Sequence, residues 1–178
     1  MAMNRPGGDD VAHNPPIIYP VISGIEVWCY GKTCEVEEYP DVSQLADLPA
    51  TLLLRGFLKD GFCFIQFAGK KLPEAFLRYD CEVEILINAD QIRREDIKAF
   101  PEVLDMIQAM PERYGLQNQV CVIKAPPEMK RPFEELRQIP LPPAMFRFYM
   151  LLKIVEIVLQ LDCFSLYSTQ VHFYGYEN

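Results

Sequence analysis

Alternating apolar and polar positions predict β-strands in the first half of the chain. Apolar side chains occupy every second position over residues 25–29 and again over residues 34–36. Gly31 and Lys32 lie between these two segments and favour a turn. The pattern therefore predicts a hairpin with one face in solvent.

A second hairpin and a further strand are predicted next. Residues 51–58 and 62–67 are almost continuously apolar, and the Asp-Gly pair between them is typical of a tight turn. Apolar and acidic positions then alternate over residues 81–87. This alternation predicts a half-buried strand that ends the β part of the chain.

A helical period of three to four residues replaces the alternation from about residue 89 onward. Two helices are predicted to begin at Pro101 and Pro127, because proline fits the first turn of a helix. Between them, the apolar residues 119–124 predict a short buried strand. The apolar sides of the two helices are formed by Val103, Leu104, Ile107 and Met110, and by Met129, Phe133 and Leu136.

The last helix, predicted over residues 144–164, has the clearest pattern. Apolar residues recur at steps of three and four, and Leu151 and Val158 widen the resulting stripe. So wide a stripe has two interpretations: it packs within its own chain, or it forms an interface between two copies. We predict that a dimer interface contains Met145, Phe148, Leu152, Val155 and Leu159.

Composition and charge argue against two classes of binding partner, namely nucleic acids and anionic membranes. The chain has 178 residues, of which 25 are acidic and 17 basic, and its net charge is −8. Binding to nucleic-acid phosphates or to an anionic membrane surface depends on Lys and Arg, so we expect neither. The longest apolar stretch, residues 150–161, is too short to span a bilayer. The first residues lack the pattern of a signal peptide, which favours a cytoplasmic location.

The sequence contains no combination of residues that predicts catalysis. Its two histidines, His13 and His172, are too few for a metal site or for a Ser-His-Asp or Cys-His centre. Acidic residues at alternate positions, such as Glu82 and Glu84, are typical of a solvated strand face. No glycine-rich phosphate-binding motif occurs, and we expect no metal and no cofactor.

The cysteines are expected to be buried, reduced thiols. Most of them lie in apolar segments, and no two have the spacing C-x-x-C. A zinc site formed by four of the thiolates has no recognised spacing here. Acidic residues or a reactive thiol in the β part are the basis of an alternative, enzymatic hypothesis. The six positions are Cys29, Cys34, Cys63, Cys81, Cys121 and Cys163.

Aromatic residues in the predicted strands are candidates for a ligand cavity. Trp28 and Tyr30 alternate on one strand, and Phe62 and Phe64 lie on another. Aromatic side chains line many cavities for small organic ligands, although they also fill ordinary cores. We predict these four residues as ligand-binding and leave core filling as the alternative.

Two segments of the second half resemble a known family. The first is PEMKRPFEEL over residues 127–136, followed by Pro140, and the second is FYMLLKIVEIVL over residues 148–159. In this order they resemble the end of the sensor domain of bacterial AraC-type transcription regulators. The strand at residues 81–88 and its exit also resemble the last cupin strand of those proteins.

The resemblance implies a regulatory function without catalysis. In AraC-type regulators a cupin-like barrel binds a small effector, the following helices dimerise, and a helix-turn-helix domain binds DNA. The similarity covers about residues 80–165, so it implies an effector-binding and dimerisation domain that lacks the DNA-binding unit. The expected partners are a second copy of the chain and a small-molecule effector, with no direct nucleic-acid contact.

Together these patterns predict an α+β fold. A small antiparallel β-sheet or partial cupin-like barrel is followed by a C-terminal helical dimerisation region. We expect residues 1–16 to form a flexible tail, residues 17–166 a single sensing and dimerisation domain, and residues 167–178 a linker stub. Within the domain, residues 17–90 form the β part and residues 91–166 the helical part.

A second hypothesis belongs to another functional class. The chain would be a stand-alone interaction module that pairs with a related regulator or a different protein partner. A protein partner that co-purifies with the chain in the absence of an effector would favour this hypothesis over ligand sensing.

Overall fold

The structure, a computed structural model, describes residues 16–30, 51–73, 81–138 and 143–176. It has an α+β fold in which three α-helices accompany one antiparallel sheet of seven strands. The strands are β1 (Ile17–Ile22), β2 (Ile25–Cys29), β3 (Thr51–Phe57), β4 (Phe62–Phe67), β5 (Val83–Asn88), β6 (Gln119–Lys124) and β7 (Val171–Gly175).

The sheet is open, and its strand order is β1-β2-β5-β3-β4-β6-β7. Because β1 and β7 lie at opposite edges, the strand order gives no support to the partial-barrel alternative. The β1–β2 hairpin turns at Ser23 and Gly24, and β2 pairs with β5 along its other edge. The strand predicted at residues 34–36 lies outside the described residues, as do residues 1–15 of the tail predicted over residues 1–16.

The second predicted hairpin is confirmed. Strands β3 and β4 pair from Leu52–Phe67 to Phe57–Phe62, and Gly61 in the turn has a φ of 71°. A positive φ is accessible to glycine without steric cost, which is why the Asp-Gly pair predicts this turn. The strand predicted over residues 81–87 is confirmed as β5, but the prediction of a half-buried strand is wrong, because nearly all of it is buried.

The helices pack on one face of the sheet. They are α1 (Pro101–Arg113), α2 (Pro127–Arg137) and α3 (Pro143–Cys163). The apolar sides predicted for α1 and α2 are buried, as expected. Helix α3 contacts both α1 and α2 and also packs against β1. Two short 3₁₀ turns, Ala89–Gln91 and Arg94–Ile97, connect β5 to α1.

The second half of the chain is not a purely helical region. Strand β6 separates α1 from α2, as its apolar sequence predicts. The segment predicted as a linker stub contains β7, which pairs with β6 at the edge of the sheet. After β7, the Tyr176 hydroxyl donates to the carbonyl of Leu116 (2.7 Å) and accepts from the amide of Phe67 (3.2 Å). The final segment is therefore anchored to the sheet.

Candidate functional site

A buried charged network lies on the sheet face opposite the helices. Arg55 of β3 and Glu84 of β5 are cross-strand neighbours, and their Nε and Oε1 atoms are 3.2 Å apart. The hydroxyl of Tyr30 donates to Oε2 of Glu84 over 2.9 Å. Burial raises the pKa of Glu84, whereas the positive charge of Arg55 and the hydrogen bond from Tyr30 lower it. The network links β3 to β5 and reaches Tyr30, the residue that follows β2.

The prediction that Glu82 and Glu84 form a solvated face is wrong, because both residues are buried. A carboxylate oxygen of Glu82 accepts a hydrogen bond from the amide of Leu58. Glu82 also lines a small cavity of about 260 Å³ beside Lys59 and Arg137. Both carboxylates bind groups of the sheet or of its turns. We therefore assign a structural role to Glu82 and Glu84.

The outer side of α3 carries an exposed apolar stripe. Met145 and Phe148 expose 61% and 63% of their surface, and Leu152 and Leu159 expose 36% and 42%. These four residues, called the α3 stripe below, follow one face of the helix for about 21 Å, at 1.5 Å per residue. Four of the five residues predicted for a dimer interface thus lie at the surface.

The fifth predicted interface residue, Val155, differs from the other four. Only 4% of it is exposed, and it belongs to the main hydrophobic core. At 100° per residue, Val155 is turned toward the core side of α3, which also carries Leu151, Ile154 and Val158. Val155 therefore packs within its own chain.

A cavity of about 740 Å³ lies where the β1–β2 turn meets α3 and the 3₁₀ turns. Its wall is both apolar and charged: Leu86, Phe148 and Leu151 contribute apolar surface, and Arg147 and Glu26 contribute charge. We call it the turn cavity. The other described residues of its wall are Pro20, Val21, Ile22, Ser23, Gly24, Asn88, Gln91, Arg93, Asp96 and Ala144.

The four residues predicted to bind a ligand do not line the turn cavity. Phe62 and Phe64 pack with Phe57 in a small second hydrophobic cluster, where the rings of Phe57 and Phe64 are 4.3 Å apart. Trp28 and Tyr30 are partly buried, and each donates a hydrogen bond to a glutamate of the sheet. Core filling, the alternative left open by the sequence, describes Phe62 and Phe64.

Most of the thiols in the described residues are shielded from solvent. Cys63, Cys81 and Cys121 are buried, Cys29 is half-buried, and Cys163 is exposed. Burial raises the pKa of Cys29 to about 11 and that of Cys121 to about 12. In the described ranges, no three or more His, Cys, Asp or Glu side chains are grouped so that they could hold a metal ion. Cys34 lies outside those ranges.

Comparisons with protein families, with characterised proteins and with solved structures find no match to the chain. The resemblance of residues 127–159 to AraC-type regulators therefore stays a prediction. Among the helices that the structure describes, none has the length and apolar character needed to cross a membrane.

Proposed function

We propose that the chain is a regulatory, non-enzymatic module that dimerises through α3 and binds a small-molecule effector. The observation that carries the proposal is the α3 stripe, whose four exposed apolar side chains follow one face of a helix that is buried on its opposite side. Exposed apolar patches of this kind mark interaction surfaces. The sequence resemblance to the dimerisation helices of AraC-type regulators supports the same role.

The spacing of the α3 stripe favours a second copy as its occupant. Leu152 lies seven residues from Met145 and seven from Leu159. A two-fold axis at Leu152 would place two α3 helices antiparallel, with Met145 against Leu159 of the partner subunit. Such self-complementarity is what a two-fold symmetric interface requires.

The charges beside the stripe are neutralised within the chain. Lys153 forms ion pairs with Glu135 of α2 and, over 3.3 Å, with Glu156 of α3. Because these charges already have partners, a second helix can approach this side without desolvating an isolated charge. The shielded thiols favour a module without a reactive cysteine, and they fit the reducing cytoplasm as its location.

The proposal is tested by comparing single aspartate substitutions inside and outside the stripe. Leu152→Asp places a charge at the centre of the proposed interface, and we expect it to convert a dimer into a folded monomer. Tyr167→Asp is the matched control, because Tyr167 is almost fully exposed and lies outside α3. Light scattering gives the mass, and circular dichroism verifies the fold. Equal masses for the two variants would contradict the proposal.

The second candidate function uses the same surface for a different protein. If the unmodified chain is monomeric and a protein partner co-purifies with it but not with Leu152→Asp, the interaction-module hypothesis replaces the dimer.

A further inference from the structure

We infer that the turn cavity binds a small zwitterion that carries both an amine and a carboxylate on an apolar body, such as an apolar amino acid. The cavity combines two charges of opposite sign with apolar walls, in a volume of about 740 Å³. Cavities of roughly 300–1,000 Å³ are typical of small-molecule sites. The inference deepens the effector-binding part of the proposed function and rests on that part.

Four charged residues of the cavity wall belong to the part of the chain that the structure describes, and two of them form an ion pair with each other. The Nε and Nη2 atoms of Arg93 donate to the two carboxylate oxygens of Asp96, at 2.9 and 3.3 Å. A paired, bidentate guanidinium has little capacity left for a ligand carboxylate. Arg93 and Asp96 therefore contribute shape to the wall and no net charge.

The other two charged residues are available to a ligand. Glu26 accepts a hydrogen bond from the neutral indole of Trp28 (3.1 Å), which leaves its negative charge without a cationic partner among the described residues. Arg147, on the first turns of α3, forms no ion pair within the described ranges either. Glu26 and Arg147 line one cavity without pairing with each other.

This arrangement selects for a ligand with both charges. A carboxylate on the ligand would pair with Arg147, and an ammonium group would pair with Glu26. Leu86, Phe148 and Leu151 offer the apolar surface against which a hydrocarbon body can pack. An anion alone would face Glu26, and a cation alone would face Arg147, so each would lose one favourable contact and gain one repulsion.

An unsatisfied hydrogen-bond donor in the cavity wall also supports a bound ligand. Asn88 is only 5% exposed, and its Oδ1 accepts from the amide of Asp90 over 3.2 Å. Its Nδ2 has no hydrogen-bond partner among the described residues. A buried amide donor is normally satisfied, so an acceptor supplied at the cavity would complete the wall.

The test uses three probes with the same phenyl ring and different charges. These are L-phenylalanine, 3-phenylpropanoate, which lacks the amine, and 2-phenylethylamine, which lacks the carboxylate. Calorimetry on the full chain is expected to show L-phenylalanine binding about tenfold more tightly than either analogue, as one well-formed charge contact allows. L-leucine serves as a second zwitterion with an aliphatic body.

Two isosteric variants assign the contacts. Arg147→Gln is expected to weaken the binding of L-phenylalanine by about tenfold. The same variant should bind 2-phenylethylamine at least as tightly as the unmodified chain, because it removes a repulsion between two cations. Glu26→Gln keeps an acceptor for the Trp28 indole, and we expect it to weaken the binding of L-phenylalanine. It should bind 3-phenylpropanoate at least as tightly as the unmodified chain, because it removes a repulsion between two anions. Arg94→Gln is the control, since Arg94 is exposed and lies outside the cavity. Phe148 is left intact because it also belongs to the α3 stripe.

Three results would overturn the inference. The first is equal affinity for the zwitterions and their singly charged analogues, and the second is no binding of either L-phenylalanine or L-leucine at millimolar concentration. The third is unchanged binding of the zwitterions by both Arg147→Gln and Glu26→Gln. That result would show that the ligand does not bind in the turn cavity, while effector binding elsewhere in the chain would remain possible. The mass measurements on Leu152→Asp test dimerisation independently of all three.

Discussion

Arg55 and Glu84 form an ion pair in the interior of the sheet, where their side chains expose only 2% and 4% of their surface. The pair connects β3 to β5, and Tyr30 extends it beyond β2 through its hydrogen bond to Glu84. Removing one member of a buried pair costs more than the pair contributes, because the remaining charge stays desolvated.

Glu84→Gln preserves the shape of the side chain and removes its charge. We expect it to lower the free energy of unfolding by about 3 kcal/mol or more, as measured by urea denaturation. Glu95→Gln is the control, because Glu95 pairs with Arg93 at the surface with 73% of its side chain exposed. That control should change stability by less than about 1 kcal/mol. Similar losses in the two variants would refute a structural role for Glu84.

Gly56 of β3 lies against the ring of Phe133 on α2. A Cβ atom at Gly56 would lie 2.7 Å from Cδ1 of Phe133, whose ring is buried in the core. Gly56→Ala is therefore expected to cost about 1–3 kcal/mol through overpacking. Gly175→Ala is the matched control, because a Cβ there meets no atom of the described part of the chain within 4 Å. A Gly56→Ala variant as stable as this control in urea would show that α2 does not pack this closely.

Thiol labelling separates the proposed regulatory module from the enzymatic alternative. In a Cys34→Ser background, we expect Ellman's reagent to label Cys163 rapidly and the buried thiols only after denaturation. The pKa of Cys29, raised by burial to about 11, means that its labelling should accelerate only as the pH approaches that value. Adding Cys163→Ser should abolish the rapid phase. A second rapid thiol at neutral pH would revive the enzymatic hypothesis.

The local patterns predicted most of the secondary structure, because each element has a distinct period or turn. The Asp-Gly turn and the apolar sides of α1 and α2 are examples. Strand β7 was missed because its burial is low: only Val171 is buried, so the segment has the aromatic and polar composition of a surface linker. Its pairing with β6 is a long-range contact that local sequence does not encode.

The candidate sites were harder to predict. In α3 both sides are apolar, so periodicity alone could not distinguish Val155, which faces the core, from Leu152, which faces outward. Arg55 lies within an otherwise apolar strand, and a buried arginine needs an acidic partner. Its position therefore indicated a buried acid on a neighbouring strand, which is Glu84. The turn cavity joins residues far apart in the sequence, including Glu26 and Arg147, and no local motif connects them.

The central claim, that α3 couples two copies of the chain, is tested most directly by sedimentation equilibrium of the unmodified protein over a range of concentrations. The account predicts twice the mass of one chain, with dissociation toward the single-chain mass only on dilution. A single-chain mass at every concentration, for a protein that is folded by circular dichroism, would contradict it.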